Sequence, residues 1–243
     1  MMNTTITKKK MKIQRMKEII DMKAIKNILF LVLCNGDASI ARELEEFEKL
    51  FDKIFTGHSC DKEKLEKAIS EASGDDMTEY LDIVIRHILN IIPDDTDARD
   101  IAEIYRFASK MYASLDVYTD AVFYSQCAES FLRTLFEKDK SVHEALSSLY
   151  ILQSSLYKKE DNLEESLKSC FKSIVLYLDT PEIHTEGSAF VQVFAFSKLA
   201  AGFAKKGDRD FAEKYFDMAT EWCKAAGFDA KLAKKIYLFN VIF

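Results

Sequence analysis

The residues best suited to chemistry in this chain of 243 residues are its histidines, its cysteines and its adjacent carboxylates. His58 and Cys60 could share a metal ion, but no second pair of ligands completes a four-coordinate site. Glu164 and Glu165 could act as an acid and a base, yet their spacing places them on a solvated helix face. The chain has no phosphate-binding glycine loop, no G-x-S-x-G and no H-E-x-x-H motif. The sequence therefore predicts a protein that is not an enzyme and that holds no metal and no cofactor.

The cysteines indicate a reducing compartment. Their number is odd, none forms a C-x-x-C pair, and most lie within apolar helical stretches, where thiols pack as small hydrophobic groups. We therefore expect a cytoplasmic protein. The apolar run 28–34 follows basic residues but is short and precedes no cleavage site, so it is expected to be a buried helix. No other stretch is expected to be long enough to span a membrane.

Charge is distributed unevenly along the chain. The whole sequence has 34 basic and 40 acidic side chains, a net charge of −6. Residues 1–26, in contrast, hold eight lysines and arginines against Glu18 and Asp21. We expect residues 1–10 to be a disordered, solubilising basic arm. Such an arm could also contact an anionic membrane surface or nucleic acid weakly.

The elements that must position any functional residue are predicted to be helices. Seven glycines and two prolines are few for this length, which favours an all-α fold over a sheet. Between Phe196 and Trp222, two runs of helical periodicity meet at Gly207-Asp208. Glycine commonly ends a helix in the left-handed conformation, and aspartate commonly begins the next one. Small residues are expected where these two helices touch, namely Ala200, Ala212 and Ala219.

Comparable turns recur along the chain. Aspartates that mark predicted turns are separated by 38 to 47 residues, which indicates five helical hairpins. These are Asp37, Asp75, Asp116, Asp161 and Asp208. Two further hairpin patterns run from Tyr105 to Ala128 and from Tyr150 to Ser173. The latter is weaker because Gln153 stands where an apolar residue is expected.

The order of aromatic, leucine, small residue, aromatic, turn, alanine, aromatic and alanine in residues 196–222 resembles the tetratricopeptide repeat (TPR). The chain departs from the repeat at Arg209, where an aromatic is usual, and at Lys224, where a proline is usual. The resemblance implies a right-handed solenoid of helical hairpins. It does not imply a particular partner, because this architecture serves many functions.

A second resemblance rests on residues 143–177. His143-Glu144-Ala145, Asp161 and Cys170 look like the soluble attachment proteins of vesicle fusion (SNAPs), whose TPR-like hairpins are also long. Residues 36–88 loosely resemble the C-terminal region of that family but occur at the N-terminus here, and the end of the chain lacks the family's ATPase-contacting residues. The resemblance implies an adaptor in vesicle fusion or intracellular transport.

The spacing of the predicted helices and turns therefore divides the chain into four expected regions. Residues 1–10 form the arm, 11–93 degenerate helical hairpins, 97–228 three TPR-like repeats, and 229–243 a C-terminal capping helix. The capping helix is expected to bury a face that consists of Leu232, Ile236, Phe239 and Phe243.

The predicted function is that of a non-enzymatic adaptor or scaffold. Its concave face, lined by the first helix of each hairpin, would bind a peptide or helix of a protein partner. Basic side chains on that face favour an acidic or phosphorylated partner. The alternatives are a SNAP-like adaptor and a TPR-based signalling or transcription regulator. The candidate groove residues are Arg106, Lys110, Ile151, Ser155, Lys158, Phe194, Ser197 and Lys205.

Overall fold

The structure of the protein, a computed structural model, describes residues 38–55, 77–180, 186–229 and 231–242. Within these ranges every regular element is helical and none is a strand, so the all-α prediction is confirmed. A short 3₁₀ helix spans Lys140–Val142. The α-helices are α1 (Ala38–Phe55), α2 (Met77–Ile91), α3 (Ala98–Ser114), α4 (Tyr118–Phe136), α5 (His143–Lys159), α6 (Leu163–Leu178), α7 (Glu186–Lys205), α8 (Arg209–Ala225) and α9 (Lys231–Ile242).

The chain divides into two compact units between Val117 and Tyr118. The first unit contains α1, α2 and α3. Its core includes the stacked rings of Phe47 and Phe107, whose centroids are 3.8 Å apart. A hydrogen bond of 2.6 Å from Lys53 Nζ to Asp100 Oδ1 joins α1 to α3.

The second unit contains α4 to α9 and is built around α7. This helix packs against α5, α6, α8 and α9. Its residues Val193, Phe196 and Leu199 are buried in a cluster to which α6, α8 and α9 also contribute. Apolar burial of this kind is the main stabilising force in a helical protein. The helix is also long and apolar enough to cross a membrane by length and composition, contrary to the sequence-based expectation, but 72% of its apolar window is buried as in a core helix.

Four helices in the described part of the chain end in the same way. At the end of α7, Asp208 N–H donates to Phe203 O at 3.0 Å and Gly207 N–H donates to Ala204 O at 3.0 Å. This pair of bonds satisfies carbonyls that the helix leaves unpaired, and it requires a left-handed residue. The ends of α3, α5 and α8 repeat the pattern. The left-handed residues are Asp116, Asp161, Gly207 and Gly227, with φ of 60°, 57°, 81° and 73°.

The N-terminal caps of α6 and α8 show that two of the predicted turn aspartates occupy different positions in their turns. Asp208 accepts from Phe211 N–H at 3.3 Å and begins α8, as predicted. The corresponding cap of α6 is Asn162, which accepts from Glu165 N–H at 3.2 Å. Asp161 therefore occupies the position of Gly207, and not that of Asp208. Aspartate can take this position because its short side chain tolerates the left-handed conformation.

Small residues lie at the helix contacts, as predicted. Ala200, Ala212 and Ala219 are buried. Between α5 and α6 the small residues are polar, and they pair with one another. Ser154 Oγ lies 3.0 Å from Ser166 Oγ and 3.0 Å from Cys170 Sγ. Close helix packing therefore leaves these hydroxyl groups hydrogen-bonded.

Gln153 is explained by a carboxylate from another helix. Its Nε2 donates to Glu129 Oε2 at 2.9 Å, and Lys172 Nζ donates to Glu129 Oε1 at 3.1 Å. Glu129 thus ties α4 to α5 and to α6. Burial, followed by the charge of Glu129, raises the pKa of the nearby Tyr150 hydroxyl. Gln153 departs from the apolar residue that the hairpin pattern predicts because it hydrogen-bonds to Glu129 at this junction.

The last helix buries a face that differs from the predicted one. Ala233, Ile236 and Asn240 are buried, whereas Phe239 is 63% exposed. The prediction was thus right for Ile236, partly right for Leu232, which is partly buried against the core cluster, and wrong for Phe239. Phe243 lies outside the described residues. Helix α9 packs mainly against α7 and to a smaller extent against α8.

Candidate functional site

The candidate groove residues of the first unit are Arg106 and Lys110, both on α3. Arg106 Nε donates to Glu103 Oε2 at 2.7 Å, so its charge is balanced by a carboxylate on the same helix. Arg106 also lines a shallow cleft between α1 and α3, together with Phe47 and Phe107. Lys110 is half-buried. Arg106 and Lys110 belong to the first unit, and the other candidate groove residues belong to the second.

The candidate residues of the second unit have different surroundings. Ile151 and Phe194 are partly buried against the core cluster. Ser197 is fully buried, so it is not presented to solvent, and its hydroxyl has no hydrogen-bond partner. Ser155 and Lys158, in contrast, are half-buried, and Lys205 is exposed.

Helices α5 and α7 place Lys158, Lys198 and Lys205 in one group, which we call the lysine cluster. Lys198 is 8% exposed, and its Nζ donates to Ser155 Oγ at 2.7 Å. Ser155 precedes Lys158 by three residues, and therefore both face the same side of α5. Lys198 and Lys205 are seven residues apart on α7, two helical turns along one side.

Helix α9 closes one side of the cluster. Lys158 Nζ donates to the backbone carbonyl oxygen of Asn240 at 2.9 Å and to its Oδ1 at 3.3 Å. Asn240 lies in the last turn of α9, where carbonyl groups lack partners within the helix and carry partial negative charge. The amide group of Asn240 is held in turn, because its Nδ2 donates to Ile236 O at 2.9 Å.

The electrostatic balance of the cluster is unusual. Burial, followed by the positive charges of Lys205, Lys198 and Lys159, lowers the pKa of Lys158 from 10.5 to about 8. Burial also lowers the pKa of Lys198. Among the described residues, no carboxylate forms an ion pair with Lys158, Lys198 or Lys205. A buried cation without a counter-charge is costly, so this group of side chains is a candidate site for an anion.

Lys198 is the member of the cluster that was missing from the candidate groove residues. The sequence does hold a signal for it. Lys198 is the single charged residue in the stretch 187–204, and the structure buries every residue of 195–201. A single charged residue in such an apolar helix is rarely there by packing alone, because lysine is almost never fully buried without a partner.

Other groups that could do chemistry are occupied or separate. Glu164 and Glu165 contact Lys168 Nζ at 3.0 and 2.7 Å, as surface ion pairs. Burial raises the pKa of the Cys170 thiol, which disfavours the reactive thiolate. The described ranges contain no group of His, Cys, Asp and Glu side chains that could hold a metal ion. His58 and Cys60 lie outside those ranges.

The depressed pKa of Lys158 predicts a change of stability with pH. Between pH 8 and 10.5 the folded lysine is largely neutral while the unfolded one keeps its proton. The unfolded state then binds more protons, so the free energy of unfolding rises with pH in this window. Urea unfolding measures the free energy of unfolding of the wild type and of Lys158→Met. From pH 7 to 9.5, the wild type should gain stability relative to the variant. Parallel pH profiles would contradict an unfavourable charge at Lys158.

No family model, curated protein or solved structure matches this chain.

Proposed function

We propose that this chain is a non-enzymatic protein-interaction module, an adaptor or scaffold that binds an acidic peptide or helix of a partner. The binding face lies in the second unit and is formed by α5 and α7, with Lys158 and Lys205 at its edge. The observation that carries the proposal is that this face already holds a helix of the chain itself, α9, which packs against α7 and meets α5 through Lys158.

The mode in which α9 is held supports this proposal. Its small and apolar residues Ala233 and Ile236 pack into the core cluster, while Lys158 binds its final turn through Asn240. A groove that combines an apolar floor with a polar contact at one end is suited to an amphipathic helix. Helix α9 contacts the lysine cluster only through neutral oxygen atoms. A negatively charged partner would therefore make a more favourable contact with the cluster than α9 does.

We further propose that the hairpins α5–α6 and α7–α8 are TPR-like repeats of a right-handed solenoid. Support comes from the same closing hydrogen bonds at the ends of α5 and α7, and from small residues at both helix contacts. In such repeats the first helices form the concave face, which is where α5 and α7 would place the lysine cluster.

Capture experiments with charge-reversed variants test the proposed function. The tagged full chain, the double variant Lys158→Glu with Lys205→Glu, and a control with Lys214→Glu and Lys224→Glu are compared by affinity capture and mass spectrometry. Both control lysines are exposed on α8. We expect a partner that the wild type and the control retain and that the cluster variant loses, with capture by the wild type falling at high salt.

The identity of that partner distinguishes the alternatives. An ATPase together with membrane-fusion helices would favour a SNAP-like adaptor in transport, and a transcription or signalling protein would favour a regulator. Equal loss of capture in the two charge-reversed variants would exclude the α5–α7 face as the binding surface. Far-UV circular dichroism of each variant establishes that the fold is kept.

A further inference from the structure

The lysine cluster combines three amino groups with acceptors that carry no charge. Lys198 Nζ is bound to the Ser155 hydroxyl, and Lys158 Nζ to the carbonyl and side-chain oxygens of Asn240. Lys205 is exposed at the edge of the cluster. The ion pairs on Glu129, Glu164 and Glu165 lie elsewhere in the second unit and do not involve these lysines. The cluster therefore has binding capacity that the described chain does not use.

Asn240 stands where a negatively charged group would be expected. Its two oxygens lie on one ammonium group at 2.9 and 3.3 Å, as the two oxygens of an anion would. The partial charge of a helix C-terminus is about half an elementary charge, which leaves most of the positive charge unbalanced. The end of α9 is thus a weak neutral substitute for an anion.

We infer that the lysine cluster is a binding site for a phosphate monoester carried by a side chain of the protein partner, and that this ester takes the place of Asn240. The inference rests on the proposed function, because the ester is delivered by a segment that binds the α5–α7 face. Its consequence is regulatory: phosphorylation of the partner would favour exchange of the partner segment for the end of α9.

Two features favour a phosphate over a carboxylate. The first is charge, because a phosphate monoester carries about −1.5 to −2 at neutral pH and a carboxylate carries −1. The second is donor geometry. The cluster contains no arginine, whose planar fork matches the two oxygens of a carboxylate, whereas lysines act as point charges around a compact tetrahedral anion.

Nuclear magnetic resonance titration of the full chain tests the site without a partner. The probes are N-acetyl-phosphoserine amide, inorganic phosphate and acetate, each added at constant ionic strength with chloride. We expect the phosphoserine probe to shift the Asn240 side-chain amide and the α9 amide signals in a saturable way. Acetate should bind at least about tenfold more weakly than the phosphoserine probe. Binding of inorganic phosphate but not of the ester would overturn the assignment to a partner side chain, and binding of neither would overturn the site.

Lys198→Met is the decisive variant because methionine has similar length and suits a buried position. This variant should keep the fold and bind the phosphoserine probe about tenfold or more weakly than the wild type, as expected for a lost charge-assisted hydrogen bond. Lys214→Met, on the exposed side of α8, should bind as the wild type does. Equal affinities in Lys198→Met and the wild type would overturn the site. If the phosphoserine probe does not bind while partner capture still depends on Lys158 and Lys205, the proposed function is supported and the phosphate site is overturned.

Discussion

Replacing Gly202 with alanine should lower the free energy of unfolding by about 1–2 kcal/mol, although alanine is the better helix former. Gly202 lies on α7 where it passes α6. A Cβ atom at this position would stand 2.5 Å from Leu167 Cδ2 and 3.5 Å from Leu163 Cδ1. Leu167 is buried in the core cluster and can move little. The strain of an extra methyl group therefore exceeds the gain of about 0.5–1 kcal/mol from replacing glycine in a helix.

Gly187→Ala is a matched control on the same helix. There the added methyl group would meet the carboxylate end of Glu144, which is half-buried and flexible. The carboxylate is the far end of a long side chain, so it can shift at a lower cost than Leu167, and we expect a smaller loss of stability than in Gly202→Ala. Urea unfolding followed by circular dichroism measures both variants. Equal effects at the two glycines would show that helix propensity, and not contact with Leu167, sets the cost.

A double-mutant cycle identifies the responsible contact. Leu167→Ala alone should destabilise the protein by about 2–5 kcal/mol because it leaves a cavity. In that background the added methyl group has room, so Gly202→Ala should become neutral or stabilising. The coupling between the two substitutions should be at least about 1 kcal/mol, and additive effects would contradict the proposed clash.

The helix pattern and turn chemistry of this chain follow from local physical rules. Gly207 and Asp208 are recognisable because one residue must adopt a left-handed conformation and the next must cap a helix. The turn at Asp161 was placed correctly, but the spacing from Asp161 to Asp208 compared unlike positions, because aspartate can serve either one. The buried alanines were predictable for the same reason, since a hairpin contact admits only small side chains.

Contacts between distant side chains were not predictable in this way. Phe239 fits an apolar helical face, yet α9 buries Asn240 because Lys158, more than 80 residues away, provides its polar partner. Lys198 was overlooked because a helical period describes a face and does not reveal whether a lysine within it has a counter-charge. Lys158 and Lys205 were therefore found from spacing, whereas the burial of Lys198 and its contact with Ser155 required the structure.

Glu129→Ala should have the other large effect, a loss of about 2–3 kcal/mol in unfolding free energy. Its carboxylate is 12% exposed and accepts from Gln153 and Lys172, with Arg133 Nη1 at 3.7 Å. Truncation removes the junction of α4, α5 and α6. It also leaves the Gln153 amide, in a residue 1% exposed, without the acceptor it now has. A buried donor that loses its acceptor costs more than the net value of an ordinary hydrogen bond.

The same experiment on Glu165 provides the exposed comparison. Glu165 also accepts from a lysine, at 2.7 Å from Lys168 Nζ, but that lysine is solvated and bonds to Glu164 as well. Glu165→Ala should therefore cost less than about 1 kcal/mol, as for surface ion pairs in general. Similar losses at Glu129 and Glu165 would contradict the special role of the buried junction.

Removing both polar partners should be better tolerated than removing one. In the double variant Glu129→Met with Gln153→Leu, no buried amide is left unsatisfied, and Lys172 and Arg133 remain solvated on the surface. The Tyr150 hydroxyl, which also hydrogen-bonds to Glu129, loses this partner in both variants. Replacement of both partners by apolar groups of similar shape is often nearly neutral, so the double variant should recover the part of the loss that comes from the Gln153 amide. Urea denaturation of the single and double variants measures the recovery. A double variant less stable than Glu129→Ala would show that the junction contributes net stabilisation of its own, beyond the satisfaction of Gln153.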